Sequence, residues 1–167
     1  MTWPTIDPAH VPAPLATDRF VLAPLRPEHN ERDHVAWMSS IEHIHSSPGF
    51  GPGDWGSDAW PMPLTLEQNL GDLEMHWGEF ERGEAYAYTV LDPATDDVIG
   101  CLYIDPDTRG PDTPGAADTM VRSWVRVSHA HLDDELFVAV DRWLVESWPF
   151  GSIRWPGRRE RTDGPEH

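Results

Sequence analysis

Two histidine pairs, His43-Ile-His45 and His129-Ala-His131, set imidazoles two residues apart, a spacing that puts both rings on one side of an extended segment. Asp133 or Asp134 can add oxygen ligands to the second pair. The chain holds nine histidines, so the spacing also arises by chance, and the reading adopted is no metal. Glu42 precedes the first pair and borders a stretch rich in Gly, Pro and Trp. It is the candidate general base toward an amine, with a solvated helix-end acid as the plainer alternative. Trp37, Trp55, Trp60 and Trp124 offer broad apolar faces to a partly apolar, cationic acceptor. Tyr103 is the candidate catalytic hydroxyl, although Tyr86, Tyr88 and Tyr103 all lie in strand-like runs, where core or pocket wall is the favoured reading for each. Cys101 has no partner for an internal disulfide, and its apolar strand context suits a buried thiol rather than a nucleophile. Nucleophile-elbow, Cys-x-x-Cys, Walker and dinucleotide-binding signatures do not occur in the sequence.

The segment that must position this chemistry runs from Asp118 to Trp148. Thr119 to Val127 reads as a strand. Leu132, Leu136, Val140, Trp143 and Leu144 then recur at helical spacing, with Ser128 as the expected N-cap and Pro149 as the stop. A strand feeding a helix start is where α/β proteins hold anions, because unpaired amides and the helix dipole point outward there. The arginines Arg122 and Arg126 read either as phosphate ligands or as solvated strand residues.

Upstream, residues 1–18 carry Pro4, Pro8, Pro12 and Pro14 and read as an extended arm. Phe20 to Leu25 is a short strand with Pro24 near its end, and Pro27 opens a helix expected to run to about Ser40. Residues 41–64 read as a long ordered loop lining a pocket, since Phe50, Trp55, Trp60 and Met62 are too apolar for plain disorder. Thr65 caps a second helix with Leu66, Leu70, Leu73, Trp77 and Phe80 on its apolar face, and Gly83 ends it. Ala85–Leu91 and Val98–Ile104 form a hairpin around a turn-rich link, Gly151–Trp155 a last short strand, and residues 157–167 a disordered tail.

Length and charge bound the rest. One domain is expected from 167 residues, and a formal charge of −17 with arginine as the only strong cation repels nucleic-acid backbones and anionic membranes. Such a surface suits an amine-bearing small-molecule partner, or serves solubility alone. No apolar run reaches transmembrane length and the first residues lack a signal pattern, so the expected location is cytoplasmic.

The element order is strand, helix, helix, three strands, helix, strand. With Arg19-Phe-Val-Leu-Ala-Pro-Leu-Arg-Pro-Glu28 opening it, it resembles the GNAT superfamily of N-acyltransferases over roughly residues 18–156. Val98-Ile-Gly-Cys-Leu-Tyr-Ile104 is similar to that family's third strand, and Ser123-Trp-Val-Arg-Val127 to the end of its fourth. The resemblance implies an α/β (α+β) fold with a mixed, mostly antiparallel sheet flanked by helices. It also implies acetyl-CoA or another acyl-CoA as cofactor and acyl transfer to the amine of a small molecule. In that picture Val125 and Val127 lend backbone groups to the pantetheine arm, and Arg126, Ser128, His129, Ala130 and His131 lie at the pyrophosphate. The family's loop there carries glycines that let phosphates approach the backbone, whereas Ser128-His-Ala-His-Leu-Asp-Asp-Glu135 has none and brings three carboxylates. The family also continues past its fifth strand with a helix and two strands, for which this chain has no apolar material after Trp155. The open alternatives are a ligand- or protein-binding module and an enzyme that reuses the cleft without CoA. An uncovered sheet edge further makes a homodimer an expectation.

Overall fold

The computed structural model describes residues 3–51, 60–110 and 112–163. Six strands lie in chain order across one sheet: β1 (Val21–Pro24), β2 (Tyr86–Leu91), β3 (Val98–Pro106), β4 (Thr119–Val125), β5 (Ser152–Trp155) and β6 (Arg159–Asp163). Every pairing is antiparallel except β4 with β5, which run parallel and match only at Thr119–Ile153 and Met120–Arg154. The helices are α1 (Asn30–Met38), α2 (Ile41–His45), α3 (Leu66–Arg82) and α4 (Asp133–Ser147). This is the mostly antiparallel, helix-flanked α/β sheet expected from the sequence.

Strand alternation sorts the core onto two faces. Tyr86, Tyr88, Leu102, Ile104, Val121 and Val125 meet Leu136, Val140, Trp143 and Leu144 of α4. On the other face Ala87, Cys101, Tyr103 and Trp124 meet Ala36 and Trp37 of α1 and Leu73 of α3. Cys101 is fully buried, and burial pushes its thiol well above the ordinary value, as the sequence reading of an inert thiol requires. The N-terminal arm is docked rather than loose: the indole of Trp3 donates to the Gly83 carbonyl, and that of Trp143 to Ala13. Among the described residues no helix is long and apolar enough to cross a membrane.

Five element boundaries differ from the sequence reading. The first helix stops at Met38 because Ser39 turns its hydroxyl back onto the Ala36 carbonyl and Ser40 leaves helical geometry. Its start is a 3-10 turn, Pro27–His29, and residues 41–45, read as loop, form α2 instead. Ser128 is not the N-cap of α4: Val127–Leu132 is 3-10 in character with a kink at His129, and the α-helix begins at Asp133. Asp133, Asp134 and Glu135 occupy its first turn, where carboxylates complement the positive end of the dipole. Residues 159–163, expected within the disordered tail, are β6. They pair with β5 through the backbone, and the Arg159 guanidinium forks onto Asp141 at 2.6 and 2.7 Å.

The short β4–β5 contact is reinforced by an ion pair from the loop after β3. Arg154 donates to both Asp107 oxygens, with side-chain exposures of 8% and 1%. Burial opposes the charge on Asp107, yet the guanidinium and the amides of Ala117 and Arg109 hold its carboxyl below the ordinary value. Arg154→Met leaves that carboxylate buried without its counter-ion, so it should cost roughly 3–5 kcal/mol of unfolding free energy. Urea denaturation followed by tryptophan fluorescence measures this. The contribution is complete above the ordinary carboxylate value and is lost as pH falls through the lowered one, so the penalty of the substitution should shrink in acid.

Candidate functional site

A pocket of about 240 Å³ opens on the α1–α3 side of the sheet, lined by Trp37, Trp60, Tyr103, Asp33, Asp72 and His76 among others. Helical spacing makes it. Asn30, Asp33 and Trp37 share one face of α1, while Asn69, Asp72, Leu73 and His76 share the facing side of α3. Thr65 and Gln68 exchange side-chain and backbone bonds in a capping box, which fixes where α3 starts and therefore which of its residues face α1.

The buried side chain of Asn69 ties the two helices together. Its amide nitrogen donates to Asn30 at 2.9 Å and to Asp33 at 3.0 Å, and its oxygen accepts from the Trp37 indole at 3.1 Å. The loop entering the pocket is held by histidines. His34 reaches the Leu64 carbonyl at 2.6 Å, and His45 reaches those of Phe50 and Pro61. These anchors set the Trp60 ring against Trp37, Phe50, Tyr103 and Trp124 at centroid distances of 5.6, 6.0, 6.4 and 6.2 Å.

Electrostatically the pocket is unusual for so acidic a chain, because two carboxylates sit among aromatic rings. Burial pushes Asp33 up to about 6, against the Asn69 hydrogen bond that favours its charged form. Burial pulls His76 down to about 4, so its ring is neutral at physiological pH. Tyr103 is raised well above its ordinary value, chiefly by burial, and its hydroxyl accepts from the Trp124 indole at 3.1 Å. None of these groups is an activated nucleophile.

Of the residues singled out in the sequence, Trp37, Trp60 and Tyr103 come together here. Trp124 is fully buried against Trp60 and does not line the pocket. Trp55 lies outside the described residues. Glu42 is exposed on α2 and does not line the pocket. The sequence reading missed Asp33, Asn69, Asp72 and His76, although the matched 30–33–37 and 69–72–76 spacings were there to be seen. Among the described residues no three His, Cys, Asp or Glu side chains gather as metal ligands; His129 and His131 merely stack, at 6.2 Å.

The strand-to-helix junction is differently built from an anion site. The amide of Val127 donates to Ser40 Oγ at 2.9 Å, that of Arg126 to the Ile99 carbonyl, and that of His129 back to Arg126. Ser128 Oγ shares a hydrogen with His129 Nδ1, and the Arg126 guanidinium reaches the Val98 carbonyl. Ala130 and His131 follow in the 3-10 turn, exposed, directly ahead of the three carboxylates of α4. Arg122 is buried, against Met120 and Gly49, rather than presented to solvent. With the Arg126, Val127 and His129 amides engaged within the chain and three carboxylates at the helix start, the junction is a poor fit for a pyrophosphate.

No family model matches the sequence, and no curated protein matches it. Solved structures do. The ribosomal-protein-S5-alanine acetyltransferase from Vibrio fischeri superposes with a TM-score of 0.61 at 14% identity, over 86% of this chain and 73% of that one. RimL, a ribosomal alpha-N-protein acetyltransferase in complex with coenzyme A, gives 0.61 at 10% identity over the same shares. An acetyltransferase from Agrobacterium tumefaciens gives 0.53 at 18% identity, over 86% and 72%. The chain has the fold of the GNAT acetyltransferases.

The pocket charges imply a stability signature. Asp33 is raised in the folded state, so folding favours its neutral form and stability falls as pH rises from its ordinary value of 3.8 through about 6. Asp33→Asn should remove that slope, leaving the variant gaining on the parent across this interval and level above it. Urea unfolding at a series of pH values tests this, and parallel curves for the two proteins would sink the assignment.

Proposed function

We propose that this GNAT-fold chain recognises a small organic cation, an alkylammonium head group, in the pocket between α1 and α3. One observation carries the reading: Asp33 and Asp72 line one pocket together with Trp37, Trp60 and Tyr103. Aromatic rings attract a cation through their quadrupoles, and most strongly where water is excluded. The carboxylates supply counter-charge, and the neutral His76 ring adds no repulsion. At about 240 Å³ the pocket admits a head group rather than a large molecule.

A second reading, transfer of an acetyl or acyl group from acyl-CoA to such an amine, is supported by the likeness to RimL in its coenzyme A complex. In it, Tyr103 would wall the acceptor and Glu42 would need a substrate reaching beyond the pocket. The junction at Val127 counts against it, since its amides are engaged within the chain.

Choline and its neutral isostere 3,3-dimethylbutan-1-ol separate charge recognition from plain apolar fit. Choline should quench tryptophan fluorescence saturably, and the alcohol should bind at least about tenfold more weakly, about 1.4 kcal/mol. Trp60→Ala and Asp33→Asn should each weaken choline by a similar factor. Choline affinity should fall as pH drops through about 6, as Asp33 gains its proton facing Asp72 and His34. Equal responses to the two compounds would remove the counter-charge role, and no response to either would remove the reading.

A further inference from the structure

The parallel contact between β4 and β5 ends after Met120–Arg154, one residue before β5 itself ends at Trp155, while β4 continues to Val125. In the GNAT fold the cofactor arm is expected along this last stretch of β4, at Val125 and Val127. We infer that this chain fills that cleft with its own residues and therefore works without acyl-CoA.

The filling comes from both faces of the sheet. On the α4 side Arg158, 6% exposed, sends its guanidinium to both Asp133 oxygens at 2.7 and 2.8 Å and to the Ser123 carbonyl of β4 at 3.3 Å. It thus bridges β4 and the first residue of α4. On the other side the Pro48–Gly49 turn packs between the strands. A Cβ added at Gly49 would lie 3.2 Å from Arg122 Cγ of β4 and 3.3 Å from the Pro156 oxygen that follows β5. A Cβ added at Gly157 would lie 3.1 Å from Pro48 Cβ and 3.2 Å from the Gly49 nitrogen. Both glycines have positive φ, +88° and +76°, so the two backbones meet at contact distance in conformations that side chains resist.

The charge arrangement is inverted as well as closed. A phosphate seat at a helix start needs free amides and positive charge. Here the Val127 amide is held by Ser40, and a carboxylate, Asp133, faces a cation supplied from the turn between β5 and β6. Admitting a pyrophosphate would require breaking a buried, bidentate ion pair and then placing an anion beside Asp133, Asp134 and Glu135.

Thermal-shift and calorimetric titrations with CoA and acetyl-CoA, up to about 2 mM, should leave the parent protein unchanged. A saturable rise in Tm or a binding isotherm would overturn the inference. The folded double variant Asp133→Asn with Arg158→Ala, which removes the bridge and a carboxylate together, should gain a CoA-dependent shift. Its failure to do so while circular dichroism shows it folded would overturn the role given to Arg158. Choline titration of the same samples reports the α1–α3 pocket separately, so the two conclusions stand or fall apart.

Discussion

Asn69 spends both amide hydrogens and its carbonyl on α1, joining Asn30, Asp33 and Trp37 in one buried network. A carboxamide has no spare orientation once all three bonds are made, so α3 is locked in rotation as well as in distance. That lock decides which of its residues face the pocket. A rotation of α3 by one residue would turn Asp72 and His76 away and bring other side chains to the opening. It also sets the electrostatics, because the amide hydrogen bond supports charge on an Asp33 carboxyl that burial otherwise keeps protonated. A ligand cation would side with the hydrogen bond against burial in favouring the charged form.

The junction after β4 keeps a strand-to-helix course while its groups are engaged within the chain. A strand still runs into a helix, yet between them the amide of Val127 caps onto Ser40 and the chain takes a 3-10 path. The α-helix begins where three acids can meet its positive end, satisfying the dipole internally. Arg158 completes the arrangement by pairing with Asp133 from across the cleft. The fold itself needs only the strand, the helix and the hydrophobic faces between them.

How much of this was legible in the sequence follows from which forces write a linear pattern. The unbroken apolar run Val98–Ile104 and the Leu132–Leu144 spacing record burial; β3 covers the run, and α4 carries the spacing from Leu136 onward. The missing glycine and the acids at 133–135 likewise flagged the junction. Arg159–Asp163 left no such trace, since an edge strand held by backbone bonds and the Arg159–Asp141 pair needs no apolar face. The pocket acids were hidden for a related reason. Asp33, Asn69 and Asp72 look like the solvated sides of two amphipathic helices, and only the packing of α1 on α3 turns those sides inward.

Pocket and filled cleft are two consequences of one short segment. Pro48 and Gly49 occupy the gap between β4 and the turn after β5. The next residue, Phe50, is fully buried and packs against Trp60 and Tyr103 at 6.0 and 6.2 Å. Withdrawing the turn to open the cleft would therefore pull Phe50 from behind the aromatic wall. His45 would resist, since its ring reaches both the Phe50 and the Pro61 carbonyls. A cofactor arm in the cleft and an intact aromatic pocket thus compete for the same stretch of chain, and the packing observed is the one that completes the pocket.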